Sequence, residues 1–299
     1  MRKLFLGIFC ISLVVSSCDD GDIITLELDF DKSLELCGDE STENYVVFDT
    51  KEDPFESLTF LFQSNNTNAK IFNPDTTPYM TSLSINGTSR RFNYRVYNGD
   101  PSGLICEDIP DSNVSITEDY ESTSGTVEII ATYIDDDNDT IPTELEDANT
   151  DGDNDPETNP TDSDGDTIPD YKDADDDNDN VLTKDENPDP DGDGDLSDAQ
   201  DTDSDGTPDY LDSDDDNDGT ITRYEDANSN GNLFDDFEVG AIVPRFLDDL
   251  VSDVFVNDNL NANTFIRTVT TDFTAMNINI EILSADALFL GTYINSITF

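Results

Sequence analysis

Residues 135–236 constrain this chain more than any other stretch, because their acids are phased. Aligned on itself, the run gives three copies of one pattern: Asp135, Asp137 and Asp139; Asp175, Asp177 and Asp179; Asp214, Asp216 and Asp218. The copies recur at a near-constant interval, and Glu146, Glu186 and Glu225 stand at the twelfth position of each. Oxygens at loop positions 1, 3 and 5, a backbone carbonyl at 7 and a bidentate Glu at 12 can wrap one Ca²⁺. The basic residues of the run are Lys172, Lys184 and Arg223. Two carboxylates ~6 Å apart repel by about 3 kcal/mol at an effective dielectric of about 20, so a packed ion-free state is implausible.

Each copy holds a second phase. It reads Asp147, Asn149 and Asp151 before Gly152; Asn187, Asp189 and Asp191 before Gly192, with Asp198 at position 12; and Asp226, Asn228 and Asn230 before Gly231. A third phase closes the first two copies: Asp162, Asp164 and Asp166 with Asp170 and Asp173, then Asp201, Asp203, Asp205 and Gly206 with Asp209 and Asp212. This last form resembles the thrombospondin type 3 repeat, a chain of calcium loops wrapped around a string of ions. The resemblance implies that Asp and Asn at positions 1, 3 and 5 ligate one ion, while the acids at 9 and 12 close that ion or bridge to the next. Two features depart from it. No cysteine follows Cys106 to staple the loops, and Thr167 stands where glycine is expected. The register holds about eight candidate loops. The Asp226 loop has no acid at position 12 and is expected to be weak or empty.

Paired helix–loop–helix hands are excluded, since Pro142, Pro169 and Pro208 sit at loop position 8 and Pro188 breaks another stretch. The apolar residues are sparse: Ile141, Val181, Ile221, Tyr171 and Tyr210. Bound ions must therefore do the work of a core. The alternative is a solvated, disordered acidic tract. Magnesium keeps its waters and suits such cages less well; zinc lacks ligands in a chain without His.

The N-terminus reads as a processing signal. Arg2 and Lys3 precede an apolar stretch at 4–15 that is too short to span a membrane as a mature helix. It ends Val15-Ser16-Ser17-Cys18, which resembles a bacterial lipobox, with an ordinary secretory signal as the alternative. The resemblance implies a lipidated Cys18 and stable anchoring by two or more acyl chains. Asp19, Asp20 and Asp22 resemble a surface-export signal, or an inner-membrane retention signal in other bacteria. Cys37 and Cys106 then remain in an oxidising compartment, so a disulfide is expected, with two buried thiols as the alternative.

Residues 24–30, 44–48, 57–62, 92–97 and 126–133 read as strands of a β-sandwich, separated by turns such as Asn86-Gly87. Residues 264–269, 275–283 and 287–293 read as a small antiparallel sheet that must pack on the sandwich, the calcium segment or another protein. The expected fold is mostly β with irregular calcium-loop repeats. Its parts are a leader at 1–18, a β-sandwich at 19–134, a thrombospondin type 3-like rod at 135–236 and a C-terminal β-unit at 237–299.

Catalytic chemistry is scarce. The absence of His removes Ser-His-Asp and Cys-His arrangements. A net charge of -58 excludes nucleic acid as a partner. Arg90 and Arg91 with Tyr94 and Tyr97 form the cationic-aromatic patch of the sandwich. The expectation is a non-enzymatic, lipid-anchored outer-membrane protein, exposed at the cell surface. Its acidic rod would stiffen on Ca²⁺ and present the distal sheet for display or adhesion to a surface, matrix or protein ligand. The alternative is a glycan-binding or glycan-processing accessory protein with the sandwich as its working part.

Overall fold

The structure, a computed structural model, describes residues 28, 30–107, 109–147, 152 and 155–299; the leader, Cys18 and most of the first expected strand lie outside them. The described strands are β1 (Glu35–Cys37), β2 (Asn44–Glu52), β3 (Phe55–Gln63), β4 (Tyr79–Ser84), β5 (Arg91–Tyr97), β6 (Ile116–Ser122), β7 (Thr126–Thr132), β8 (Ile266–Ile280) and β9 (Leu283–Thr298). They form two antiparallel sheets, β1-β2-β3-β5-β6 and β4-β7-β8-β9.

Strand alternation builds the core. Tyr45 and Val47 of β2, Leu58, Phe60 and Phe62 of β3, and Phe92 and Tyr94 of β5 come from the first sheet. They share one apolar cluster with Leu83, Val127, Ile129, Phe273, Ala275 and Ile278 of the second. Two sheets closing on one core make a sandwich. Cys37 and Cys106 are joined, which ties the segment after β5 back to β1. β6 has no apolar face to announce it; its Ile116-Thr-Glu-Asp-Tyr-Glu-Ser122 stretch is mostly exposed at the sheet edge.

The C-terminal strands correct the expected domain division. They do not stand as a unit of their own, because β8 pairs along β7 from Thr126↔Met276 to Thr132↔Thr270. A hairpin alone is marginal in water; against β7 it buries Val269, Phe273 and Ala275 completely. The break expected between 269 and 275 is absent, since the Thr-rich stretch there is β-branched and continues one long strand. At Gly291 on β9 the chain crosses residues 32–34: the N–H of Thr292 donates to the Lys32 carbonyl at 2.9 Å. A Cβ at Gly291 would sit 2.4 Å from that oxygen.

The acidic repeats are therefore an insertion between β7 and β8, leaving the sandwich and returning to it. The returning limb runs antiparallel to the outgoing one. Phe255 N–H donates to the Tyr224 carbonyl at 2.6 Å. Asn261 N–H donates to Asn180 Oδ1 at 2.8 Å, and Asn263 Nδ2 donates to the Lys172 carbonyl at 2.7 Å. Asn261 and Asn263 each turn a side-chain amide to the outgoing backbone, and at Asn259 the direction reverses, with Asn180 Nδ2 donating to the Asn259 carbonyl at 3.0 Å. Neutral amides make these bonds without adding charge to an acidic array. At the base, Arg267 of β8 pairs with Asp136; its Nε donates to the Asp136 carbonyl at 3.1 Å, and its guanidinium lies over the Tyr133 and Phe299 rings at 4.8 and 4.5 Å.

Candidate metal centres

Seven described loops share one backbone, starting at residues 135, 162, 175, 189, 201, 214 and 226. Position 6 has positive φ in each: Thr140, Thr167, Asn180, Gly194, Gly206, Gly219 and Gly231. Thr140 and Thr167 hold φ 88, an outlying conformation for a β-branched residue. The same ladder of hydrogen bonds recurs. The position 6 N–H donates to the position 1 carboxylate, at 3.1 Å for Thr140 to Asp135, 3.3 Å for Thr167 to Asp162, 3.2 Å for Asn180 to Asp175 and 2.9 Å for Gly231 to Asp226. The position 7 N–H donates to the position 5 side chain, at 2.7 Å for Ile141 to Asp139, Ile168 to Asp166, Val181 to Asp179 and Thr220 to Asp218.

At positions 3 and 5 this ladder spends one oxygen of each acid on the backbone and leaves the other, whereas position 1 acids such as Asp135 and Asp175 accept on both. Oδ2 of Asp137, Asp139, Asp177, Asp179, Asp216 and Asp218 is buried without a hydrogen-bond partner, as are both carboxylate oxygens of Glu146, Glu186 and Glu225. Buried oxygens left this way cost free energy unless a cation or a proton meets them. One oxygen from each of Asp177, Asp179, Glu186 and Asp215 lies within 4.8 Å of the others; Asp139, Glu146 and Asp176 form a second such group, and Asp135, Asp137 and Asp139 a third. Ligands at 2.3–2.6 Å from one ion stand up to about 5 Å apart, so these groups fit a single cation. More exposed groups are Asp162, Asp164 and Asp166, and Asp189, Asp191 and Asp198. The donor set is all oxygen, which suits a hard cation.

The carboxyl groups carry the mark of this crowding. Burial first, then the charges of Asp139, Asp135 and Asp170, pushes Glu146 up to about 10. Burial and the neighbouring carboxylates likewise raise Asp139 to about 8, Asp215 to about 10 and Glu225 to about 9. At neutral pH these groups call for positive charge.

Several expected ligands are placed differently. The second loop of the middle copy starts at Asp189, two residues later than expected: Gly194 N–H donates to Asp189 Oδ2 at 2.9 Å and Asp195 N–H to Asp193 Oδ1 at 2.9 Å. Asp193 takes position 5, Asp198 position 10, and Asn187 lies outside the loop. Its choice of register follows the second glycine, Gly194, rather than Gly192. Asp170 and Asp209, at position 9, are engaged as braces: they accept from the N–H and hydroxyl of Ser163 and of Thr202 at 2.7–2.8 Å. Asp173 is buried and Asp212 partly so at the ends of those loops, while Asp201, Asp203, Asp205 and Asp214 keep their expected positions 1, 3, 5 and 1. Asp164 accepts from Asn178 Nδ2 of the next copy. The Asp226 loop is closed by Asp235, which accepts from Asn228 and Asn230 at 2.7 and 2.9 Å. Asp147 is half-buried beside Glu146, and Asn149 and Asp151 lie outside the described residues.

The ligand pattern read from the loops omits three acids at position 2: Asp136, Asp176 and Asp215. In each copy a Thr at position 9 receives the position 2 N–H, at 2.8 Å for Asp136 to Thr143, 3.1 Å for Asp176 to Thr183 and 3.3 Å for Asp215 to Thr222. Third-phase loops exchange the two residue types, with Ser or Thr at 2 and Asp at 9. That pairing is present in the sequence as a signal. The third copy also has a third loop, at 237–248, that keeps the frame without the ligands. Arg245 N–H donates to the Asp236 carbonyl at 2.9 Å, as Asp170 does to Thr161 at 3.1 Å, and Pro244 repeats Pro169 and Pro208. Positions 1, 3 and 5 are Phe237, Val239 and Ala241, and Arg245 pairs with Glu238 at 2.6 Å.

The cationic-aromatic patch does not form an open surface. Tyr94 and Tyr97 are buried, Arg91 makes two bonds to Glu121 at 2.9 and 2.8 Å, and Arg95 bonds Asp119 at 3.0 Å. No helix among the described residues is long and apolar enough to cross a membrane. No family model matches the chain, and neither a curated protein nor a solved structure shows a significant match to it.

Proposed function

We propose that the insertion is an array of thrombospondin type 3-like loops that binds several Ca²⁺ ions and folds on them, in a protein held to the outer membrane, at the cell surface, by a lipidated Cys18. The observation that carries this reading is the repeated ladder, which in the first loop of each copy uses one oxygen of the acids at positions 3 and 5 and leaves the other buried and unmet. Calcium suits the array better than magnesium because its ligands are supplied by protein, with up to seven oxygens at flexible positions. Extracellular modules bind Ca²⁺ at about 10⁻⁴ to 10⁻³ M. At ~100 times the dissociation constant each ion adds about 2.7 kcal/mol.

What the array presents is its own far turn, not a distal sheet. Where the outgoing limb becomes the returning one, Val239, Ile242 and Leu250 are 97%, 92% and 86% exposed. Exposed apolar side chains on so acidic a chain suit contact with a protein or matrix ligand, so we read the insertion as a calcium-stiffened display or adhesion element. The test is a calcium titration of residues 19–299, which lack the lipidation cysteine, followed by small-angle scattering. Saturable compaction near millimolar Ca²⁺, reversed by chelator and absent with Mg²⁺, is expected. A coil whose dimensions follow ionic strength alone would refute the reading.

A further inference from the structure

In the array, position 2 points away from its own loop. The Thr143, Thr183 and Thr222 hydroxyls hold the backbone N–H of Asp136, Asp176 and Asp215, and the carboxylates turn toward the preceding element. Asp176 groups with Asp139 and Glu146 of the first copy; Asp215 groups with Asp177, Asp179 and Glu186 of the second. Both acids are 2% exposed, and none of their four oxygens has a hydrogen-bond partner. An acid buried this completely, with both oxygens unmet, is placed for a cation.

We propose that the divalent cations of the first and second copies are shared between copies, each taking Asp176 or Asp215 from the following copy as a ligand. The series has an end on either side. Asp136 has no preceding copy, and the guanidinium of Arg267 stands at its carboxylate as a cation built into the sandwich. The third copy has no successor; Arg245 lies near its Glu225 in place of a further acid. Ions so placed fasten neighbouring copies to one another, and Arg267 fastens the first to the sandwich. Binding at one junction then favours order at the next, and occupancy is cooperative along the array.

This inference rests on the calcium reading, and the experiment separates the two. Calcium binding to the full chain is measured by isothermal titration and by direct metal counting after dialysis, on wild type, Asp215→Ala, Asp215→Asn and Asp185→Ala. Asp185 is an exposed acid of the same middle loop and controls for lost charge. Asp215→Ala is expected to lose one ion, or to weaken one site at least tenfold, and to flatten the binding curve. Asp215→Asn should fall between it and wild type, and Asp185→Ala should bind like wild type. Asp176→Ala, tested at the other junction, should lose an ion in the same way and covers the case in which the third copy fails to order without Asp215. Equal behaviour of the Asp215, Asp176 and Asp185 variants would show ions confined to single loops and overturn the proposal while sparing the calcium reading. Absence of saturable binding by wild type would overturn both.

Discussion

Replacing Arg267 with Met probes the base of the insertion. The guanidinium is 7% exposed and its partner Asp136 is 1% exposed, so the pair sits almost fully away from water. Its Nε also donates to the Asp136 carbonyl at 3.1 Å, and two aromatic rings flank it. Met fills much of the volume but leaves Asp136 as an unmatched buried charge. Removing one member of a buried pair costs about 3–5 kcal/mol, because the survivor keeps its desolvation penalty. For a chain this long, each kcal/mol moves the melting temperature by about 2–4 °C, which places Arg267→Met roughly 6–20 °C below wild type. The double variant Arg267→Met, Asp136→Asn should recover most of that loss, since no buried charge remains. The measurement is thermal and urea unfolding in saturating Ca²⁺, followed by circular dichroism because the chain has no Trp. A single variant within about 1 kcal/mol of wild type, or a double variant no better than the single, would refute the argument.

Truncation after residue 248 should abolish folding of the sandwich, because β8 and β9 are half of its second sheet; a soluble fragment with native-like β circular dichroism would contradict the observed pairing. Thr183→Val should raise the calcium midpoint by leaving the Asp176 N–H without an acceptor, a cost of about 1–3 kcal/mol, whereas Thr183→Ser should stay near wild type in the same titration. In chelator, acidification should compact the insertion. Glu146, Glu225 and Asp215 are raised to about 10, 9 and 10, so the folded form binds more protons than the unfolded one; its stability is lost as pH rises through those values and is full below the ordinary carboxylate range. Scattering between pH 9 and pH 5 reads this directly, and expansion on acidification would contradict the sign. Reduction of Cys37–Cys106 should destabilise the sandwich by about 4 kcal/mol in the chain-entropy model, seen as a lower melting temperature in reductant.

Much of the loop array is legible in the amino-acid sequence alone. The intervals between Asp135, Asp175 and Asp214 define loops because a small ion constrains ligands that are close in sequence, so the signal is local. The strands at 44–48, 57–62, 92–97 and 126–133 are readable for a similar reason: alternation of Tyr45, Val47, Phe60, Phe62, Val127 and Ile129 reports one buried face. Where local signals are ambiguous, sequence and structure part. Two glycines near Asp189 allow two registers, and the polar edge strand β6 leaves no hydrophobic trace.

What only tertiary structure decided were the pairings between distant residues. The free edge of β7 could be met by β8 only once the whole insertion had turned back, and no interval in the sequence reports that closure. The roles of Asp136, Asp176 and Asp215 depend on which element precedes each in space, because an unmet buried carboxylate is defined by its surroundings and not by its loop position. Local chemistry in the sequence set where ions can bind. The folding back of the chain determined that the acidic segment leaves and re-enters one sandwich, since burying the apolar face of β8 against β7 is the stabilising contact that a separate C-terminal hairpin would lack.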